Sequence, residues 1–139
     1  MDYKRFGQKI VLILKKGDKI NESIKELAKK EDIKACHFAG IGAVSKAQVG
    51  LFRPGADDYE WNYFEDDLEV TSLLGNVSIF EGEPLVHSHI TLSDSESKVW
   101  GGHLGEATVS FTMEIFVDLI DGQLDKVKDP EAGVNLIKL

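Results

Sequence analysis

Apolar positions along the chain fall into two kinds of pattern, one stretch of helical spacing and many of strand spacing. Lys9 to Leu14 (KIVLIL) predicts a buried strand that Gly17-Asp18 ends, with Asp18 as the expected helix N-cap. Ile20, Ile24, Leu27 and Ala28 then share one face of a helix that runs to about Lys30. Beyond it the spacing is that of strands. Lys34 to Ala39 predicts a short strand, Gly40-Ile41-Gly42 a tight connection, and Val44 to Phe52 an alternating strand with Ala47, Val49 and Leu51 on one side. Pro54 to Asp58 is a loop, and Tyr59 to Phe64 pairs back across it as a hairpin. Leu68 to Phe80 follows, with a bend or bulge at Gly75-Asn76. Leu85 to Leu92, Val99 to Leu104 and Thr108 to Ile120 are further strands. Asp121-Gly122 predicts a hairpin turn with Gln123 to Val127 returning, and Asn135 to Leu139 adds a short strand. No repeat, low-complexity tract or linker interrupts the series. The order predicts one α/β domain of the α+β type over residues 1–139, with a largely antiparallel or mixed sheet and one main helix.

Composition narrows the setting. A chain of 139 residues that is 42% hydrophobic buries a core without needing a disulfide. The lone Cys36 has no partner in the chain, which fits a reducing cytoplasm. The apolar run Ile10 to Leu14 is too short for a signal-peptide core or a membrane span, so no membrane association is expected. With 24 acidic against 16 basic residues the net charge is -8, which opposes binding to a polyanion. The densest basic stretch, Lys25 to Lys34, alternates with Glu26, Glu31 and Asp32. The acids of Asp57 to Glu69 form a solubilising surface or, alternatively, a face for a cation or a partner.

Chemistry concentrates in the histidines. His87 and His89 lie two apart in a strand and so share a face. His103 follows a polar loop and the Gly101-Gly102 pair, which lets a backbone bend or pack closely and aims the third imidazole at the first two. Three neutral nitrogens suit zinc or another divalent metal, and three protein ligands with an open position match catalytic rather than structural zinc. The alternative is three surface or hydrogen-bonded core histidines. His37, next to Cys36 in another strand, reads as structural or exposed. Two acids in apolar strands, Glu69 and Glu114, are candidate catalytic groups that orient a histidine, complete a metal site or act as a general base; the plainer alternative is an exposed or paired carboxylate. Gly40-Ile41-Gly42 lacks the third glycine and the helix of a dinucleotide fingerprint.

Several segments in order carry a family resemblance. These are Gly40 to Val44 with Ala47, Gly50 and Phe52; Phe64; Leu68 through Asn76; His87-Ser88-His89; Gly101 to Leu104; Met113 to Ile115; and Gly133 to Leu136. Over nearly its whole length the chain resembles the plant and prokaryote conserved (PPC or PCC) domain, which also occurs in plant AT-hook proteins. The resemblance implies the PPC fold, a homotrimer and a DNA-associated or regulatory role. His87, His89 and His103 match the prokaryotic members that hold zinc. The chain has no Arg-Gly-Arg-Pro hook, so the resemblance does not by itself extend to DNA contact by the chain. The histidine arrangement is also similar to that of acetolactate decarboxylases. That similarity implies an alternative function, a metal-dependent enzyme with a small carbonyl or carboxylate substrate as the ligand of the metal.

Overall fold

The computed structural model describes residues 1–139. Its elements are β1 (Asp2–Phe6), β2 (Lys9–Lys15), α1 (Ile20–Lys30), β3 (Cys36–Leu51), β4 (Glu60–Phe80), β5 (Glu83–Ser93), β6 (Val99–Leu119), β7 (Asp125–Lys128) and β8 (Asn135–Lys138). All eight strands belong to one mixed, mostly antiparallel sheet, as the sequence pattern predicts. Its pairings close on themselves: β3 with β4, β4 with β5, β5 with β6, and β6 with β3. No helix is long and apolar enough to cross a membrane.

Alternation sorts each strand into a core face and an outer face. Ile10, Leu12 and Leu14 of β2, Phe38 of β3, Leu73 and Val77 of β4, Ile90 and Leu92 of β5, and Met113 and Ile115 of β6 are almost fully buried. The helix adds Ile20, Ile24, Leu27 and Ala28 to the same cluster, as their spacing predicts.

The structure differs from the sequence reading where glycine was taken for a turn. Residues 36–51 form one long strand, and the Gly40–Gly42 step is a register irregularity within it rather than a connection. A side chain on Gly42 would collide with the carbonyl oxygen of Thr112, so glycine here permits close approach of β3 to β6. The expected pairs Tyr59–Phe64 with Leu68–Phe80, and Val99–Leu104 with Thr108–Ile120, are likewise single strands of 21 residues each. Gly75-Asn76 keeps regular register on both sides and is no bulge. Asp121-Gly122 does not turn a hairpin: β7 runs parallel to β4 at Ile79 and pairs with β8. The short strand β1, exposed throughout, carries no apolar alternation and was not expected.

The helix start also differs. Lys19, not Asp18, is the N-cap and gives no side-chain hydrogen bond. The Asp18 carboxylate instead accepts from the backbone N–H of Lys15 and pairs with the N-terminal amine. The capping group comes from β6. Glu106 accepts from the N–H of Asn21 at 2.9 Å and of Glu22 at 3.1 Å, placing an anion where the helix dipole favours it. Asn21 then ties α1 to two strands. Its amide donates to the carbonyls of Leu104 and Gly105, and its Oδ1 accepts from the buried Ser88 hydroxyl at 2.7 Å. Replacing Asn21 with Ala removes these bonds and leaves Ser88 unsatisfied. The expected loss is about 2 kcal/mol of unfolding free energy, measurable by urea denaturation, and an unchanged midpoint would show that the network carries no weight.

Candidate metal centre

Ser88 points into the core, so its neighbours His87 and His89 point out of the opposite face. Antiparallel register does the rest. His89 pairs with His103 on β6, and His103 pairs on its other side with Gly50 of β3. The glycine pair 101–102 makes this crossing possible. An added Cβ at Gly102 would stand 2.7 Å from the Gly50 carbonyl oxygen, and one at Gly101 would stand 3.0 Å from that of Ile90. The glycines therefore let β6 press between β5 and β3, which fixes where His103 emerges.

The three imidazoles converge. Their ring centroids are 5.3 to 5.7 Å apart, and each offers a nitrogen within 4.8 Å of the others. Nitrogens bound about 2 Å from one tetrahedral ion would stand roughly 3.3 Å apart, within reach of small ring rotations. His87 and His103 are half-buried and His89 is exposed. His103 Nδ1 is buried and has no hydrogen-bond partner.

Electrostatics favour the neutral, metal-ligating form. Burial pushes the His103 pKa down to about 4, with smaller contributions from His87, His89 and Lys126. His87 is lowered by burial first, then by Lys126 and His89. Both rings therefore keep free lone pairs at neutral pH.

An aromatic wall stands on His103. Tyr59 stacks on it with centroids 4.5 Å apart and planes 24° from parallel, Trp61 lies 6.1 Å away, and Phe52 packs on Tyr59 at 5.3 Å. Gly50 makes room for it, since a Cβ there would stand 2.7 Å from the Trp61 ring. Sequence reasoning took Tyr59 to Phe64 as strand alone. The available signal was the aromatic repeat at every second position, Tyr59, Trp61 and Tyr63, of which the first two reach the site.

Glu69 and Glu114 are not part of the group. Glu69 pairs with Ala43 and Ser93, and Glu114 with Ile13 and Ile41. Both are exposed and line a shared groove with Ile41 and Thr112. The histidine group contains no carboxylate. His37 is exposed on β3 and stands outside the group.

In metal-free protein His103 binds protons less readily folded, near pH 4, than unfolded, near 6.5. The unfolded state takes up the extra proton between these values. The stability His103 contributes is thus complete above about pH 6.5 and is lost as pH falls toward 4. Denaturation of wild type and His103→Gln across this window should show a shallower pH slope for the variant; parallel slopes would contradict the low pKa.

Comparison with known proteins places the chain. The family model of the Plants and Prokaryotes Conserved (PCC) domain matches residues 1–121. A putative DNA-binding protein from Ralstonia eutropha superposes with a TM-score of 0.93 at 30% identity, covering 99% of this chain and 95% of its own. A plant- and prokaryote-conserved (PPC) protein from Pyrococcus horikoshii gives 0.88 at 32% identity over 99% and 94%. A metal-containing protein from Archaeoglobus fulgidus gives 0.89 at 30% over 100% and 99%. Among curated proteins, the bifunctional protein GlmU of a Synechococcus strain is 25% identical over 120 residues, 84% of this chain. The chain spans only 18% of that relative's length. The chain belongs to the Plants and Prokaryotes Conserved (PCC) domain family.

Proposed function

We propose that this chain binds one divalent metal ion, zinc by the chemistry of the donors, through His87, His89 and His103. The observation that carries the reading is the convergence of three imidazole nitrogens within 4.8 Å, with no carboxylate among them. A nitrogen-only set suits a borderline ion better than the oxygen-seeking magnesium or calcium. Three protein donors leave a coordination position for a small-molecule ligand. The metal-containing Archaeoglobus protein, of the same fold and 30% identical, adds support. The enzyme alternative gains nothing from Glu69 or Glu114, which lie elsewhere on the sheet.

The likeness to the putative DNA-binding protein of Ralstonia supports a DNA-associated role, and in this chain such a role, or a regulatory one, would run through partners rather than through direct grip on a duplex. The net charge is -8. The lysines of α1 and its flank are mostly neutralised: Lys29 pairs with Glu83, Lys30 with Glu26, and Lys34 with Asp32. Few free cations remain on that face for phosphate contacts.

We further propose a cytoplasmic homotrimer in which residues 1–139 act as one folded unit. The buried, unpaired Cys36, whose pKa burial raises to about 11, suits a reducing compartment. The outer sheet face carries an apolar row with no cover in the single chain. Leu74, Ala39, Phe116 and Val11 are successive cross-strand partners on β4, β3, β6 and β2, with Leu74 51% and Phe116 54% exposed. Neighbouring copies would remove this face from water.

Elemental analysis of untagged protein should find one metal per chain, and His89→Ala should lose most of it; unchanged metal content in that variant sinks the assignment. Light scattering at micromolar concentration should return three times the chain mass, and a monomer mass rules out the trimer.

A further inference from the structure

Lys126 is the only charged residue among the buried ones, at 8% exposure. It takes part in none of the ion pairs or side-chain hydrogen bonds of the chain, which engage lysines on β2, α1 and β3 instead. Burial alone lowers its pKa, and no carboxylate acts on it. The stem is buried while the ammonium has no counter-charge, and in a chain with 24 acidic residues its isolation needs a reason.

Its position supplies one. β7 enters beside Ile79 of β4 through Asp125. Alternation then turns Lys126 to the opposite face, the one shared by Ser78, Asn76 and His87. The ammonium is near enough to act on both His87 and His103. Other polar atoms on this face also lack partners. Ser78 Oγ, Asn76 Oδ1 and His103 Nδ1 are all buried and unbonded. The segment after β7 returns to the same place, since a Cβ on Gly133 would stand 3.7 Å from the Phe52 ring, the outer member of the aromatic wall on His103. Buried polar groups in native proteins nearly always have partners, so this face stands out as polar where nearly all the other buried side chains are apolar. A cation beside an open metal position selects a small anion. Lys126 lies beyond the residues that the family model matches.

We propose that Lys126 is the anion-recognition half of the site and holds a small carboxylate ligand that takes the open position of the metal. The inference rests on the metal reading above. Its test uses the full chain loaded with cobalt(II), whose visible bands report a change of ligand, titrated with acetate and with its neutral isostere acetamide. Wild type should bind acetate and not acetamide. Lys126→Met should keep full metal content by elemental analysis but weaken acetate by about tenfold or more, while Lys126→Arg should stay within a few-fold of wild type. Removal of an unpaired charge on a stem that Met replaces in shape should not unfold the protein, and the retained metal content verifies this. Full metal content with unchanged acetate affinity in Lys126→Met overturns the role of Lys126 and leaves the metal site standing. Acetamide binding as tightly as acetate, or inorganic phosphate binding more tightly, overturns the carboxylate assignment. Failure of the wild type to take up metal overturns both readings.

Discussion

The alternation of His87, Ser88 and His89 on β5 is the constraint from which the site follows. Ser88 is held inward by its hydrogen bond to Asn21 on the helix, and Ile90 and Leu92 beyond it are buried in the core. A slip of one residue would turn Ser88 outward and drive two imidazoles into that core. Loss of a single buried hydrogen bond costs about 1–3 kcal/mol. Burying two imidazoles among aliphatic side chains would cost more than that. The register of β5 is therefore set by the core, and the outward pair of histidines is its consequence. His103 is added by the same ladder logic, as the cross-strand partner of His89. No loop conformation has to be ordered to bring the three rings together, which is the kind of rigid placement that binding chemistry needs.

Burial gives the site its electrostatic character. Half-buried imidazoles resist protonation, and each would-be charge makes the others harder to form. Tyr59 stacked on His103 keeps one ring both oriented and desolvated. A divalent ion here would meet neutral donors and, nearby, the positive Lys126. With no carboxylate in the histidine group, the local sum would be strongly positive in a place only partly open to water. Such a sum favours an anion in the open position. The same chain carries a large excess of negative charge on its exterior, so the site and the surface differ in sign.

Much of this was legible in the sequence. The spacing of His87 and His89 fixes a shared face for any strand, and the apolar spacing of Ile20 to Ala28 fixes the helix and the face it buries. Strand lengths were not legible, because glycine has two meanings. Gly40 and Gly42 read as a tight connection, yet both serve close approach of neighbouring backbones within a long strand, as Gly101 and Gly102 do on β6. Which meaning applies depends on a partner strand far away in the chain. The cap of α1 was illegible for the same reason, since Glu106 lies on β6. Lys126 gave no signal at all. In Asp125-Lys126-Val127-Lys128 it looks like any solvated lysine, and only the placement of β7 beside β4 in the sheet buries it.

In the proposed homotrimer the outer face would link the histidines to assembly. His89 is the cross-strand neighbour of Leu74, which begins the apolar row through Ala39 and Phe116 to Val11. His89 is also the one exposed member of the three. Copies that covered the row would come up against His89, stripping water from it as burial already does for the other two. Desolvation lowers an imidazole's proton affinity and strengthens every interaction that an ion in the site would make. Assembly and ligation would then share one surface, so that each favours the other by linkage. An interface built on the helix side of the sheet would have no such effect, because the core lies between that side and the histidines.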